Sequence, residues 1–215
     1  MKSENVKPSF KRPKQLRSKV TFDAIIQAGM IILNKDGIKK FNTNHIAKVA
    51  GVSIASLYQY FPNKESIFMA LVEDFYNKKF KLVQDIITSE LDQEKGFSTI
   101  VDLTVQAFIQ YELDMPKVNH LIQKYSVQLG LESVIEDAEK DFVETTSKII
   151  STNNFNISSE KISKKLRLLV YLMKGVHKAL YDASTKPGGD VNEIKEETIK
   201  MIKSYMQEED IYKTQ

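Results

Sequence analysis

The feature that most constrains this chain is the spacing of its apolar residues. They recur at three and four positions over nearly the whole length and are interrupted by glycine, proline and asparagine. That period describes one face of an α-helix, and the two-residue alternation of a half-buried strand is nowhere sustained. The pattern predicts helices over about 18–34, ended by Asp36-Gly37, over 43–50 behind Asn42, and over 54–61 closed by Pro62. A long helix should start behind Asn63 and run to about residue 91, followed by helices over 97–113, 117–129, 131–151, 159–183 and 191–206. Pro116, Gly130, Asn153-Asn154 and residues 186–189 separate the later ones, and Asp190 with Glu193 three positions on makes a capping-box-like start to the last. The fold class is therefore all-α, with no internal repeat of fixed period.

A chain of 215 residues holds one large helical unit, or a small domain fused to a larger one. Its longest apolar stretch, 24–33, is broken by Gln27 and Gly29 and is far shorter than the roughly 20 residues a membrane span requires. No cysteine is present, and no apolar signal-like run follows the basic start, so a cytoplasmic location without membrane or disulfide framework is expected. The net charge is only +3, yet residues 1–80 hold 14 Lys/Arg against 6 Asp/Glu. That half is where a polyanion would bind. A solvated basic tail explains the same asymmetry, because Lys2, Lys7, Lys11, Arg12, Lys14, Arg17 and Lys19 precede or open the first helix. With Pro8 and Pro13 among them, residues 1–16 read as a flexible basic arm.

The most informative segment is 42–67. A helix-turn-helix needs small or apolar residues where two short helices cross, a glycine in the turn, and a second helix with one buried and one open face. Ile46, Ala47 and Ala50 supply the close-packed side of the first helix, Gly51 the turn and Val52 the apolar plug behind it. At 100° per residue, Ile54, Leu57 and Phe61 fall within about 60° of one another and form the buried face. The opposite face centres on Gln59, with Ala55 and Ser56 beside it and Tyr58 and Tyr60 on its flanks. Glutamine and serine can bond base edges, a small alanine lets the helix approach a groove, and tyrosine hydroxyls reach phosphates. The tyrosines could equally cover the core with amphipathic rings. Lys64, a cation in the first turn of the next helix, opposes the helix dipole unless an anion sits there too.

The run Ile46-Ala47, Ala50-Gly51-Val52-Ser53, Leu57-Tyr58, Tyr60-Phe61 and Asn63-Lys64-Glu65 resembles the signature of the TetR family of transcriptional regulators. The resemblance extends back to Gly37 and covers roughly residues 17–73. It implies a three-helix DNA-binding domain over 17–73, with the third helix in the major groove, and a larger effector-binding and dimerisation domain over 74–215. Carried over position by position, Ser53, Ile54, Ala55, Ser56 and Gln59 would face the groove, and Thr43, Tyr58, Tyr60 and Lys64 would hold phosphates. For Ile54 the helical projection and the resemblance disagree. Ala55 stands where the family usually has glycine, and His45 where an acidic residue is common. The implied partners are a double-stranded operator, a second copy of the chain and a small-molecule effector, with the chain acting as a ligand-responsive repressor.

Past residue 80 the reading rests on pattern. By resemblance the last two helices pair with their copies, through Ile162, Leu166, Leu169 and Met173 of one and Ile194, Thr198, Met201 and Ile202 of the other. An ordinary core pair within one subunit would have the same stripes. Phe108, Tyr111, His120, Tyr125, Phe142, Tyr171 and His177 are candidate walls and polar heads of an effector pocket, and residues of this type at helical spacing also form plain core. For an enzyme the sequence offers no phosphate loop, nucleophile elbow, His-Glu-x-x-His or cysteine, so no catalytic residue, metal or cofactor is expected. Glu132, Glu136, Asp137, Glu139 and Asp141 could bind a metal on a helix, as an enzyme or metal sensor would, or form a solvated face beside Lys140. A third alternative is a protein-interaction module that keeps the helix-turn-helix only as scaffold.

Overall fold

The computed structural model describes residues 9–92, 96–153 and 158–206. Among these, the helices run α1 Leu16–Asp36, α2 Thr43–Ala50, α3 Ile54–Tyr60, α4 Lys64–Asp92, α5 Phe97–Asp114, α6 Pro116–Gln128, α7 Glu132–Ser151, α8 Ser159–Thr185 and α9 Val191–Met206. No strand occurs among the described residues. The all-α reading holds, and most boundaries fall within two residues of the expected ones. Two differences have local causes. Helix α1 starts earlier than its apolar stripe because its first residue, Leu16, is 80% exposed and leaves no burial signal. The 3-10 turn Ile38–Lys40 is too short to show a period at all.

Side-chain and backbone caps explain where the helices stop and start. Asn42 accepts the His45 amide at 3.0 Å at the head of α2, and Asn63 accepts both the Ser66 amide and hydroxyl at 2.8 and 2.7 Å ahead of α4. Asp190 accepts the Glu193 amide at 3.0 Å. Pro116 opens α6, where the missing N–H costs nothing.

The chain divides into two compact units, one of residues 1–76 and 117–136, the other of residues 77–116 and 137–215. In the first, α1 packs on α2 and α3 around Ile25, Leu33, Ile46, Leu57, Phe61 and Phe68, all 1% exposed or less. A Cβ at Gly29 of α1 would sit 3.2 Å from Leu71 Cδ1 and 3.3 Å from Phe41 Cε2, so the backbone passes close to both side chains. In the second, α5, α8 and α9 pack together over Ile109, Ile162, Leu166, Leu180 and Ile202. Phe80 and Phe142 stack there with ring centroids 4.4 Å apart. No described helix is long and apolar enough to cross a membrane.

Candidate nucleic-acid interface

The candidate surface is built from a tight turn outward. Gly51 closes α2 at φ 68° and ψ 27°, a left-handed conformation that a β-carbon disfavours, and its amide bonds back to the end of the helix. The chain then reverses, Ser53 caps α3 by accepting the Ser56 amide at 3.0 Å, and Leu57 and Phe61 drive into the core with no exposed surface. Burying those two side chains contributes roughly 1.5–3 kcal/mol each and fixes the rotation of the helix. Gln59 and Ala55 are consequently exposed, and Ser56 is half-buried with its hydroxyl 2.8 Å from that of Ser53.

Ile54 is 38% exposed, so the groove-facing position that the resemblance gives it describes its surroundings better than the buried face of the projection. It lies in the first turn of α3, where no preceding turn covers it. The structure brings Thr43 and Tyr58 together across the two helices, with their hydroxyl oxygens 3.2 Å apart. Tyr58 is half-exposed, whereas Tyr60 is partly covered and meets Phe22 edge-on at 6.1 Å. Lys64 opens α4 with an exposed ammonium 4.0 Å from the Glu65 carboxylate. Ala55, Gln59, Tyr58, Thr43 and Lys64 thus offer, without rearrangement, a small contact point, an amide, two hydroxyls and a cation.

Within the flexible basic arm expected over residues 1–16, residues 10–12 are held on the helices. Residues 1–8 lie outside the described residues, but Phe10 packs against both Phe22 and Phe61 at centroid distances of 5.7 and 5.8 Å. The Lys11 amide donates to the Tyr60 carbonyl at 3.0 Å, and Arg12 pairs with Glu73. The signal available in the sequence was one aromatic residue among prolines and lysines, which a tail has no reason to carry.

The other candidate residues separate. Ile162, Leu166, Met173, Thr198 and Ile202 are buried within the single chain, Leu169 and Ile194 are half-buried, and Met201 is exposed. The outward row of α8 is instead Leu168, Tyr171 and Leu172, with Gly175 having nothing within 4 Å of its added Cβ. Of the aromatic and histidine set, His120 and Tyr125 belong to the first unit, where Tyr125 meets Phe68, while Phe108, Tyr111, Phe142 and His177 belong to the second. Tyr171 is 60% exposed.

A buried ionic group that the sequence reading did not find lies in the second unit. Lys79 Nζ donates to Glu112 Oε1 at 3.0 Å, and Glu112 Oε2 lies 2.7 Å from His177 Nδ1. All three residues are no more than 5% exposed, and the ammonium sits 4.6 Å from the Phe108 ring centroid. Burial pushes the Glu112 carboxyl up, but the charge of Lys79 and the bond and charge of His177 outweigh it and hold the carboxyl below its ordinary range. Each member interrupts an apolar stripe: Lys79 between Phe75 and Val83, Glu112 after Ile109, and His177 between Met173 and Leu180. Of the acidic string on α7, Glu139 is paired with Lys174 at 2.8 Å, and no group of three His, Asp or Glu side chains among the described residues has metal-binding geometry.

Residues 25–71 match the model of a family described as bacterial regulatory proteins, tetR family. A nucleoid occlusion factor, SlmA, of Actinobacillus pleuropneumoniae serotype 5b is 27% identical over 115 residues, 53% of this chain and 52% of that protein. The chain thus matches only about half the length of such curated relatives. Among solved structures, a chain assigned to the TetR-family transcriptional regulators from Mesorhizobium loti superposes with a TM-score of 0.68 at 16% identity, covering 89% of this chain and 98% of that one. The TetR family repressor AlkX from Dietzia sp. gives 0.62 at 17% identity, covering 90% and 97%. At such identities the likeness is one of fold, and it extends over both units.

Proposed function

Because residues 25–71 form a helix-turn-helix domain of the tetR family of bacterial regulatory proteins, we propose that this chain is a sequence-specific DNA-binding transcriptional regulator, acting as a ligand-responsive repressor. The observation that carries this reading is the phase of α3, in which Leu57 and Phe61 are fully buried and Ala55, Tyr58 and Gln59 are presented outward. A seven-residue helix held this way fits a major groove, and its exposed groups match base edges and phosphates. No catalytic role is assigned to any residue, and the reading places the protein in the cytoplasm, where its DNA is.

One helix-turn-helix touches only a few base pairs, so useful specificity requires two copies on a two-fold axis. We assign the copy-to-copy contact to the outward row of α8, namely Leu168, Tyr171, Leu172 and Gly175, with Met201 of α9, in place of the residues already buried within one chain. Residues 17–73 then read DNA, and residues 74–215 pair the copies and hold the effector. Phe108 and His177, both against the Lys79–Glu112 pair, are the members of the aromatic set that we keep for the effector site. An effector that prefers a different spacing of the two reading helices would weaken operator binding without touching DNA.

Selection of bound sequences from a random duplex pool, followed by mapping of bound sites across the source chromosome, tests the reading. The expected result is a pseudo-palindrome whose half-site centres lie about one helical turn apart, roughly 34–36 Å or somewhat more. The chromosomal map matters because relatives are named nucleoid occlusion factors, and a local repressor should give a few sites near promoters. Failure of any sequence to enrich would leave the helix-turn-helix as mere scaffold and sink the proposal.

A further inference from the structure

The segment 10–12 makes three unlike contacts with the reading domain within three residues. The Phe10 ring fills the gap beside Phe22 and Phe61, which are themselves 4.9 Å apart. The Lys11 amide takes the carbonyl of Tyr60, the last residue of α3 and one of the acceptors that a helix end leaves unsatisfied. Arg12 pairs with Glu73 of α4, and its guanidinium carbon stands 5.3 Å from the Phe10 ring centroid. One contact is apolar, one is a backbone bond and one is ionic, and together they fix the chain in position and direction at the C-terminal end of α3. The side chains of Lys11, within this anchor, and of Lys14, just after it, remain exposed.

We propose that Phe10, Lys11 and Arg12 form a positioning clamp that roots the N-terminal arm on the end of the reading helix and holds the cations of Lys11 and Lys14 against the DNA backbone. This rests on the DNA-binding reading above and adds to it the device that makes the arm part of the interface. A free cationic tail must give up chain entropy for each backbone residue that is fixed when it meets phosphate. A clamped one has lost much of that freedom before DNA arrives. The clamp also links the arm to the rotation of α3, because Phe10 leans on Phe61, which with Leu57 sets the buried phase of that helix. Phe10 and Arg12 are positioning residues here, while Lys11 and Lys14 touch the partner.

The test measures operator affinity against salt concentration for the full chain and four variants: Phe10→Ala, Phe10→Tyr, Lys11→Gln with Lys14→Gln, and Phe10→Ala combined with both lysine changes. Removing the two lysines should flatten the salt dependence by about two phosphates' worth and weaken binding about tenfold at moderate salt. Phe10→Ala should reproduce most of that loss, Phe10→Tyr should restore it, and adding Phe10→Ala to the lysine variant should cost little more, since the clamp acts through those lysines. If Phe10→Ala lowered thermal stability and left the salt dependence unchanged, the segment would be a structural brace only and the proposal would be overturned. Fully additive losses would also overturn it. Should the lysine pair be neutral while the unmutated chain still binds its operator, the arm proposal fails and the DNA-binding reading stands. Should the unmutated chain bind no duplex, the broader reading fails first.

Discussion

Gln59 and Lys64 are both exposed, and on the proposed reading they should behave differently, because one side chain would meet base edges and the other phosphate. Gln59→Ala should cost about 1–3 kcal/mol on the selected operator and relax preference at one position per half-site. Lys64→Ala should weaken all duplexes alike and flatten the salt dependence by about one charge. Competition assays with matched and scrambled duplexes separate the two, and a uniform loss for Gln59→Ala would show that the amide does not read bases. The outward exposure of Gln59 was legible in the sequence because Leu57 and Phe61 set the phase of its helix. Glu112 was not, since a charged residue on an amphipathic helix reads as solvated until its neighbours are known. Its burial beside Lys79 and His177 carries a prediction of its own. Glu112→Gln would remove the carboxylate charge that faces both the buried Lys79 ammonium and His177 and should destabilise the fold by about 3–5 kcal/mol, measured by chemical denaturation. The carboxyl is held below its ordinary value of 4.5, so its stabilising contribution is complete above that value and is lost as pH falls through its lowered value in the fold. Stability of the unmutated protein should therefore drop more steeply on acidification below about pH 4.5 than that of the Glu112→Gln variant.

At the scale of elements, the joint between α2 and α3 carries more information than its length suggests. Val52 bonds back to Ala47, Gly51 takes a positive φ, and Ser53 caps the following helix, so three consecutive residues set the crossing of two helices. Gly51→Ala should therefore destabilise the first unit by about 1–2 kcal/mol, the cost of a β-carbon in left-handed backbone, and Gly51→Asn should cost less because asparagine tolerates that region. Equal thermal shifts for the two variants would mean that packing, not backbone conformation, holds the turn. The helices were readable from Asn42, Gly51, Asn63, Pro116 and Asp190, since capping and turn chemistry is local. Which side of α8 faces inward was not readable in the same way. Its apolar residues spread over Ile162, Leu166, Leu168, Leu169, Leu172 and Met173, wider than one stripe, and periodicity alone does not divide such a band between a chain's own core and a second copy. Only the burial of Ile162, Leu166 and Met173 leaves Leu168, Tyr171 and Leu172 as the outward row.

For the whole molecule, the pairing proposed through that outward row would tie the two copies of the DNA-reading helix together. Leu168, Leu172, Gly175 and Ala179 follow one another at four, three and four residues, so they line a single strip of α8 that narrows from leucine to glycine and alanine. Glycine inside a helix costs about 1 kcal/mol relative to alanine, and within one chain nothing lies near Gly175 to compensate. A second α8 crossing there would, since a helix without a side chain at the crossing lets another approach closely and pack leucine against backbone. Tyr171, with its ring outward at 60% exposure, then becomes a buried aromatic of the pair. Introducing Tyr171→Glu together with Leu172→Glu should place two like charges per copy in the contact and yield folded monomers by light scattering, with helical content unchanged. Those monomers should keep weak, salt-sensitive binding to any duplex and lose the tight binding that depends on two half-sites held together. Charged variants that still sedimented as dimers, or monomers that bound the full operator undiminished, would place the two-fold axis elsewhere. The comparison that isolates the mechanism is a half-site duplex, on which the unmutated protein and the monomeric variant should differ little, because each then offers a single reading helix to a single site.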